Sequence, residues 1–179
     1  MKGLQTSRIR LILAMVILSS CIGCDQATKT IATQTLQNSP PRSFLADTVR
    51  LDFALNPGGF LSLGSNLSDD VRMWVFVAFN SCLLFGLAAF LCLKRNLALT
   101  LFTSLVFILA GGIGNLIDRV GNNGLVTDFI NIGIGPVRTG VFNVADMAVT
   151  FGAIAAVCLS FRCDAGEQID AEAQRKSAN

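Results

Sequence analysis

The sequence predicts an all-α membrane protein with four transmembrane helices, on three observations. First, 52% of the residues are hydrophobic and only 15% are charged, where a soluble domain carries about 25% charged residues. Second, the apolar residues fall into four runs, at about residues 9–24, 73–93, 97–117 and 141–161, close to the roughly 20 residues that cross a bilayer as a helix. Third, eight of the fourteen basic residues form groups before the first run (Lys2, Arg8, Arg10), between the second and third (Lys94, Arg95), and after the fourth (Arg162, Arg175, Lys176). With four crossings, all three groups fall on one side. The whole chain, 1–179, reads as a single membrane domain with a mean hydropathy of +0.58.

Composition removes several classes of chemistry. A net charge of +2 makes no case for nucleic acid. The absence of histidine removes histidine triads, histidine metal sites and imidazole proton shuttles together. The six cysteines, Cys21, Cys24, Cys82, Cys92, Cys158 and Cys163, lie in or beside apolar runs. That placement is not a disulfide framework. Cys21 and Cys24 form a C-x-x-C without a second pair, and small buried apolar side chains are the simpler reading.

Residues 9–24 follow Lys2, Arg8 and Arg10. A basic start, an apolar core and Leu18-Ser19-Ser20-Cys21 imitate a lipoprotein signal peptide with its acceptor cysteine. Three later apolar runs favour an uncleaved first span. Asp25 and Lys29, in D-Q-A-T-K, become an i,i+4 pair if the helix continues one turn. Spacing alone reads as a solvated helix end, its pair contributing about 0.3 kcal/mol. The loop 25–72 then contains Pro40-Pro41, which break any helix, and residues 49–55, which alternate with the period of a strand. Asn56-Pro57-Gly58-Gly59 is a turn cluster, and Phe60, Leu61 and Leu63 add a short apolar edge. This stretch reads as a small sheet or lip on the membrane surface. Ser68 is placed to cap the next helix, with Asp69 and Asp70 in its first turn.

Asn80 and Ser81 are the clearly polar residues of the second span. The short connection through Lys94 and Arg95 makes spans two and three antiparallel neighbours. Gly111, Gly112 and Gly114 let another backbone approach the third span. The loop 118–140 is polar and glycine-rich, with a strand-like run at 126–132, and the tail 162–179 is expected to lack structure. The positive-inside rule puts both termini and the tail in the cytoplasm. Asp25, Asn56, Asp118, Arg119, Asp128, Asn143 and Asp146 then gather on the outer face.

Aspartates at the ends of apolar runs are costly near lipid and point to function. Asp118 and Arg119 end the third helix and read as a structural ion pair closing it, with Asn115 one turn earlier on the same face. Asn143 and Asp146 have capping spacing, N-cap and N3. The helix N-terminus would favour an ionised Asp146, whether it serves only as a capping acid or in chemistry. Asp128 lies in the apolar run V-T-D-F-I, which should raise its pKa by desolvation. Two carboxyls in opposite environments suit acid–base hydrolysis: one activates a water, and the other, protonated, bonds to the carbonyl under attack. A serine with Lys29 as base is a weaker reading, because no serine stands in an obvious motif nearby.

At these residues the chain resembles bacterial lipoprotein signal peptidase, the type II signal peptidase. The resemblance covers about residues 9–162 and rests on five blocks in order. They are D-Q-A-T-K at 25–29, N-P-G-G-F at 56–60, G-G-I-G-N-L-I-D-R at 111–119, V-T-D-F-I at 126–130 and F-N-V-A-D at 142–146. It implies a four-span aspartyl endopeptidase of the inner membrane with a small extracytoplasmic β-cradle and a short surface helix, both within residues 36–70. It implies that Asp128 and Asp146 are the catalytic pair. Asp25, Lys29, Asn56, Gly58, Gly111, Asn115, Asp118, Arg119, Asn143 and Ala145 become positions that shape the site or hold substrate. The implied substrates are diacylglyceryl-modified prolipoproteins, cut just before the lipidated cysteine by a monomer working among membrane lipids. No metal or organic cofactor is required. The family usually has alanines after the glycine of the second block, where this chain has Gly59-Phe60-Leu61.

Two other classes compete. A proton-coupled transporter should carry its acids at mid-membrane and repeat its halves, whereas these acids lie at span ends. A non-catalytic lipoprotein released at Cys21 is opposed by the three later apolar runs, because a cleaved lipoprotein seldom continues as a multi-span protein.

Overall fold

The computed structural model describes residues 2–58, 68–94 and 96–177, without the side chains of residues 2–6, 69, 72 and 162–177. Among the described residues, four helical segments are long and apolar enough to cross a membrane: Ser7–Leu36, Trp74–Leu93, Leu99–Gly121 and Val144–Phe161. Helix α1 (Lys2–Leu36) continues through Asp25 and Lys29, because no Gly or Pro interrupts residues 25–36. The hydroxyls of Thr28, Thr30, Thr33 and Thr35 each donate to a carbonyl one turn earlier, at 2.7–2.9 Å. Pro40-Pro41 follow the helix end.

Four short strands form one antiparallel sheet in the order β1 (Arg42–Phe44), β2 (Val49–Asn56), β3 (Val126–Ile134) and β4 (Val137–Arg138). The two strand-like runs of the sequence are its central pair. Leu51 pairs with Ile130 but Ala54 with Asp128, so β2 carries one extra residue there, a bulge. Phe129 reaches the last turns of α1 and is buried with Ala32 and Leu36, with Leu51, Phe53, Ile130 and Val144 packed against them. This small core seats the sheet over the end of α1.

Residues 37–58 are turn and strand. Residues 59–67, the rest of the stretch in which a short surface helix is expected, lie outside the described residues, as do Phe60, Leu61, Leu63 and the Gly59-Phe60-Leu61 departure. Ser68 occupies the N-cap position of α2 (Asp69–Met73), but its side chain makes no capping bond, contrary to expectation. A π-helical stretch, Trp74–Phe79, leads into α3 (Asn80–Leu93).

Helix α4 (Leu99–Gly121) touches α1, α3 and α5 (Val144–Ser177). Small residues permit this. A Cβ on Gly111 would come within 2.3 Å of the Ala145 carbonyl oxygen, and one on Gly152 within 2.7 Å of that of Ser104. Close approach of small residues takes the place of the hydrophobic drive that lipid removes. The polar tail does not lack structure as the sequence suggested, since α5 continues as helix to Ser177. Residues 167–177 hold no Gly or Pro, and seven of the eleven are Ala, Glu, Gln or Arg, which have high helix propensity.

Candidate active site

The site forms where four parts of the fold meet: the C-terminal turns of α1, the last turns of α4, the β2–β3 pair and the first turn of α5. Phe142 extends the sheet before α5 begins. Its N–H donates to the Ile130 carbonyl at 2.8 Å, and its carbonyl accepts from Ile130 at 2.8 Å. This bridge sets Asn143 beside β3. Asn143 then caps α5, accepting from Asp146 N at 2.9 Å, while Asp146 Oδ2 accepts from Asn143 N at 3.3 Å. The reciprocal arrangement is that of a capping box.

The same Asn143 side chain reaches Asp128. Its Nδ2 donates to Asp128 Oδ1 at 2.7 Å and to Asn115 Oδ1 at 3.1 Å. Because Asp146 N–H must find an acceptor, the amide can point only this way. Asn115 Nδ2 donates to Asp146 Oδ1 at 2.8 Å, and its Oδ1 accepts from Lys29 Nζ at 3.1 Å. Lysine can only donate, so it fixes the Asn115 amide in turn. Asn56, two residues beyond the cross-strand partner of Asp128, shares its face, and its Nδ2 donates to Asp128 Oδ2 at 3.0 Å. The structure therefore brings Asp128 and Asp146 into one network through two asparagines.

Asp128 is only 1% exposed, whereas Asp146 is half-buried. Burial pushes the Asp128 carboxyl up to about 6, the charge of Asp146 adds to this, and the bonds from Asn56 and Asn143 oppose it. The desolvation expected from V-T-D-F-I is thus the leading cause. The two acids and their asparagines supply what hydrolysis asks for: a carboxyl that keeps its proton unusually high, a partner carboxylate, and amides that hold both still.

A family model described as signal peptidase (SPase) II matches residues 17–162. The chain belongs to the signal peptidase II family. It is 34% identical over 149 residues to the lipoprotein signal peptidase of Desulforapulum autotrophicum, across 82% of this chain and 88% of that one. It is 34% identical over 158 residues to the lipoprotein signal peptidase of Moorella thermoacetica, across 88% and 95%. A solved bacterial membrane enzyme superposes with a TM-score of 0.72 at 26% identity, covering 83% of this chain and 87% of that one. The family is one of aspartic peptidases, hence hydrolases. This signal peptidase II is a multi-pass protein of the bacterial inner membrane.

Several side chains of this signal peptidase II play parts other than those their spacing suggested. Asp25 and Lys29 are not a solvated helix end: they are 1% and 4% exposed and 2.8 Å apart. The cause is the continuation of α1 against α4 and α5, which encloses the pair. Asp25 Oδ1 also accepts from Ala145 N at 2.8 Å. Gly114 makes room for this, because a Cβ there would come within 2.7 Å of Asp25 Oδ2. Asp118 does not close α4 with Arg119. Its Oδ2 lies 3.2 Å from Lys29 Nζ and accepts from Thr127 N at 2.8 Å. Adjacent helical residues point about 100° apart, so Arg119 turns elsewhere and donates to the Gly58 carbonyl at 2.9 Å. Gly58 N in turn donates to Asn56 Oδ1 at 2.9 Å, which fixes the amide of Asn56.

Two contributors escaped the sequence reading. Gln26 donates to Asp118 Oδ1 at 3.0 Å and to the Gly114 carbonyl at 3.2 Å. Its place inside the first block was the available signal. Phe76 lies under the Arg119 guanidinium, 5.4 Å from carbon to ring centroid. No spacing rule links two residues on different helices.

Proposed function

We propose that this chain removes the signal peptide from lipid-modified prolipoproteins, cutting just before the diacylglyceryl-cysteine with Asp128, Asp146 and one water. The observation that carries the reading is Asn143, whose side chain bonds to Asp128 at 2.7 Å and to the backbone of Asp146 at 2.9 Å. It holds together two acids eighteen residues apart in the chain.

In the mechanism, ionised Asp146 takes a proton from the water as its oxygen attacks the scissile carbonyl. Asp128, whose carboxyl holds its proton up to about 6, donates a hydrogen bond to the carbonyl oxygen as negative charge develops there. Collapse of the tetrahedral intermediate breaks the C–N bond, and the proton held by the pair passes to the leaving amine. The proton belongs to the coupled pair and not permanently to either acid.

Asp25, Lys29, Gly111, Asn115, Asp118, Asn143 and Ala145 shape this site, and Asn56, Gly58 and Arg119 line the side from which substrate enters. Both termini lie in the cytoplasm and the site opens on the outer face, which the basic residues flanking the spans support. The acyl chains of the substrate remain in the lipid and hold its cysteine at the depth of the helix ends. We place the work in one chain, because a single copy already supplies both acids and the three asparagines that bond to them.

The test is direct. Asp128→Asn and Asp146→Asn are each incubated in detergent with a diacylglyceryl-modified preprotein. Each should lose cleavage by a factor of about 10² to 10⁴. Cleavage near the wild-type rate by either variant rejects the assignment.

A further inference from the structure

We infer that Phe76 is a positioning residue for the site, acting through Arg119 from a different span. The inference rests on the proposed place of Arg119 at the substrate side. Arg119 is 6% exposed, and its Nε is buried without a hydrogen-bond partner. Its NH2 group donates to the Gly58 carbonyl at 2.9 Å, while NH1 reaches the Asn115 carbonyl only at 3.5 Å. Among the described residues, no carboxylate lies within ion-pair distance of it. Asp146, Asp128 and Asp118 act on its charge from longer range, but with Nε unbonded and NH1 loosely held the guanidinium also presents an open face. The Phe76 ring, 5.4 Å away, covers it.

The backbone of the second span is built to deliver that ring. Leu84, further along the same span, faces α4, since a Cβ on Gly112 would come within 2.3 Å of its Cδ2. Phe76 and Leu84 are eight residues apart, which in an unbroken α-helix is two turns and about 80°. Left α-helical, the ring would point well away from the face that Leu84 presents. The π-helical stretch Trp74–Phe79 takes in about one residue more per turn, and the part of it between Phe76 and Leu84 removes most of that offset. Phe76 and Leu84 then both face α4, at Arg119 and Gly112.

The consequence runs through the turn after β2. Phe76 fixes the plane of the guanidinium, Arg119 holds the Gly58 carbonyl, and Gly58 N holds Asn56 Oδ1, whose Nδ2 bonds to Asp128. Loss of the ring should loosen the Gly58 turn, while the bonds from Asn143 to Asp128 and from Asn115 to Asp146 keep the two acids in place.

The experiment uses the full chain in detergent with a diacylglyceryl-modified preprotein. Phe76→Leu should raise KM about three- to tenfold with kcat within twofold, and Phe76→Trp, which keeps an aromatic face, should return KM to within twofold of wild type. Phe76→Met replaces the leucine variant should the latter fail to fold. The thermal midpoint supplies a readout independent of cleavage. Phe76→Leu should lower Tm when Arg119 is present and have little effect in an Arg119→Gln background. A tryptophan variant no better than leucine, or Tm losses that simply add, overturns the inference. A wild-type chain that leaves the preprotein uncut defeats the proposed activity instead, and the Tm cycle still decides the role of Phe76.

Discussion

Asp25 Oδ1 on α1 accepts a hydrogen bond from the backbone N–H of Ala145, 120 residues later, at 2.8 Å. This contact ties the first span to the turn of α5 that carries Asn143 and Asp146. It also satisfies one of the orphan N–H groups at that helix start. Asp25 and Lys29 are therefore a buried structural pair with a direct hold on the site.

Asp25→Ala should destabilise the folded chain by about 3 kcal/mol, because it leaves Lys29 buried with one carboxylate fewer. Asp25→Asn retains an acceptor for Ala145 N and should cost less. Thermal melts in detergent check the ranking. Equal midpoints for Asp25→Ala and wild type would show that the pair contributes nothing.

The pH dependence follows from Asp128. With its carboxyl held up to about 6, kcat/KM should fall as pH rises above that value, because the free enzyme loses the proton that supports the carbonyl. Stability moves the same way: between about pH 4 and 6 the folded chain holds this proton more tightly than the unfolded one, so the contribution of Asp128 declines as pH rises through that window. A kcat/KM profile level from pH 5 to pH 8 would remove Asp128 from its role.

Asn143→Ala should be the most damaging of the asparagine variants. It deletes the cap of α5, worth about 1 kcal/mol, and the donor to Asp128 together. A loss of about a hundredfold in kcat is expected, against a milder loss for Asn56→Ala, which removes one donor and the anchor of a turn. Steady-state rates for the two variants decide the order.

Among the glycines, Gly111→Ala should lower Tm and activity, because the new methyl would meet the Ala145 backbone at 2.3 Å. Gly86→Ala, with nothing within 4 Å of its Cβ position, should leave both unchanged or raise Tm slightly through helix propensity. Identical melts for the two would mean that α4 and α5 are not in close contact.

Hydropathy, charge placement and the five spaced blocks were enough to read the membrane class, the count of four spans, the two central strands and the family. These are properties of local composition and short spacing, which the chain carries wherever it folds. The partners were a different matter. Asp118 pairs with Lys29 and not with its neighbour Arg119, α1 runs on to bury Asp25, and Phe76 reaches Arg119 through a π-helical turn. Each is decided by which helix faces pack together. That choice is made by contacts between residues far apart in the chain, where burial sets the cost of an unpaired charge and no spacing rule can see the partner.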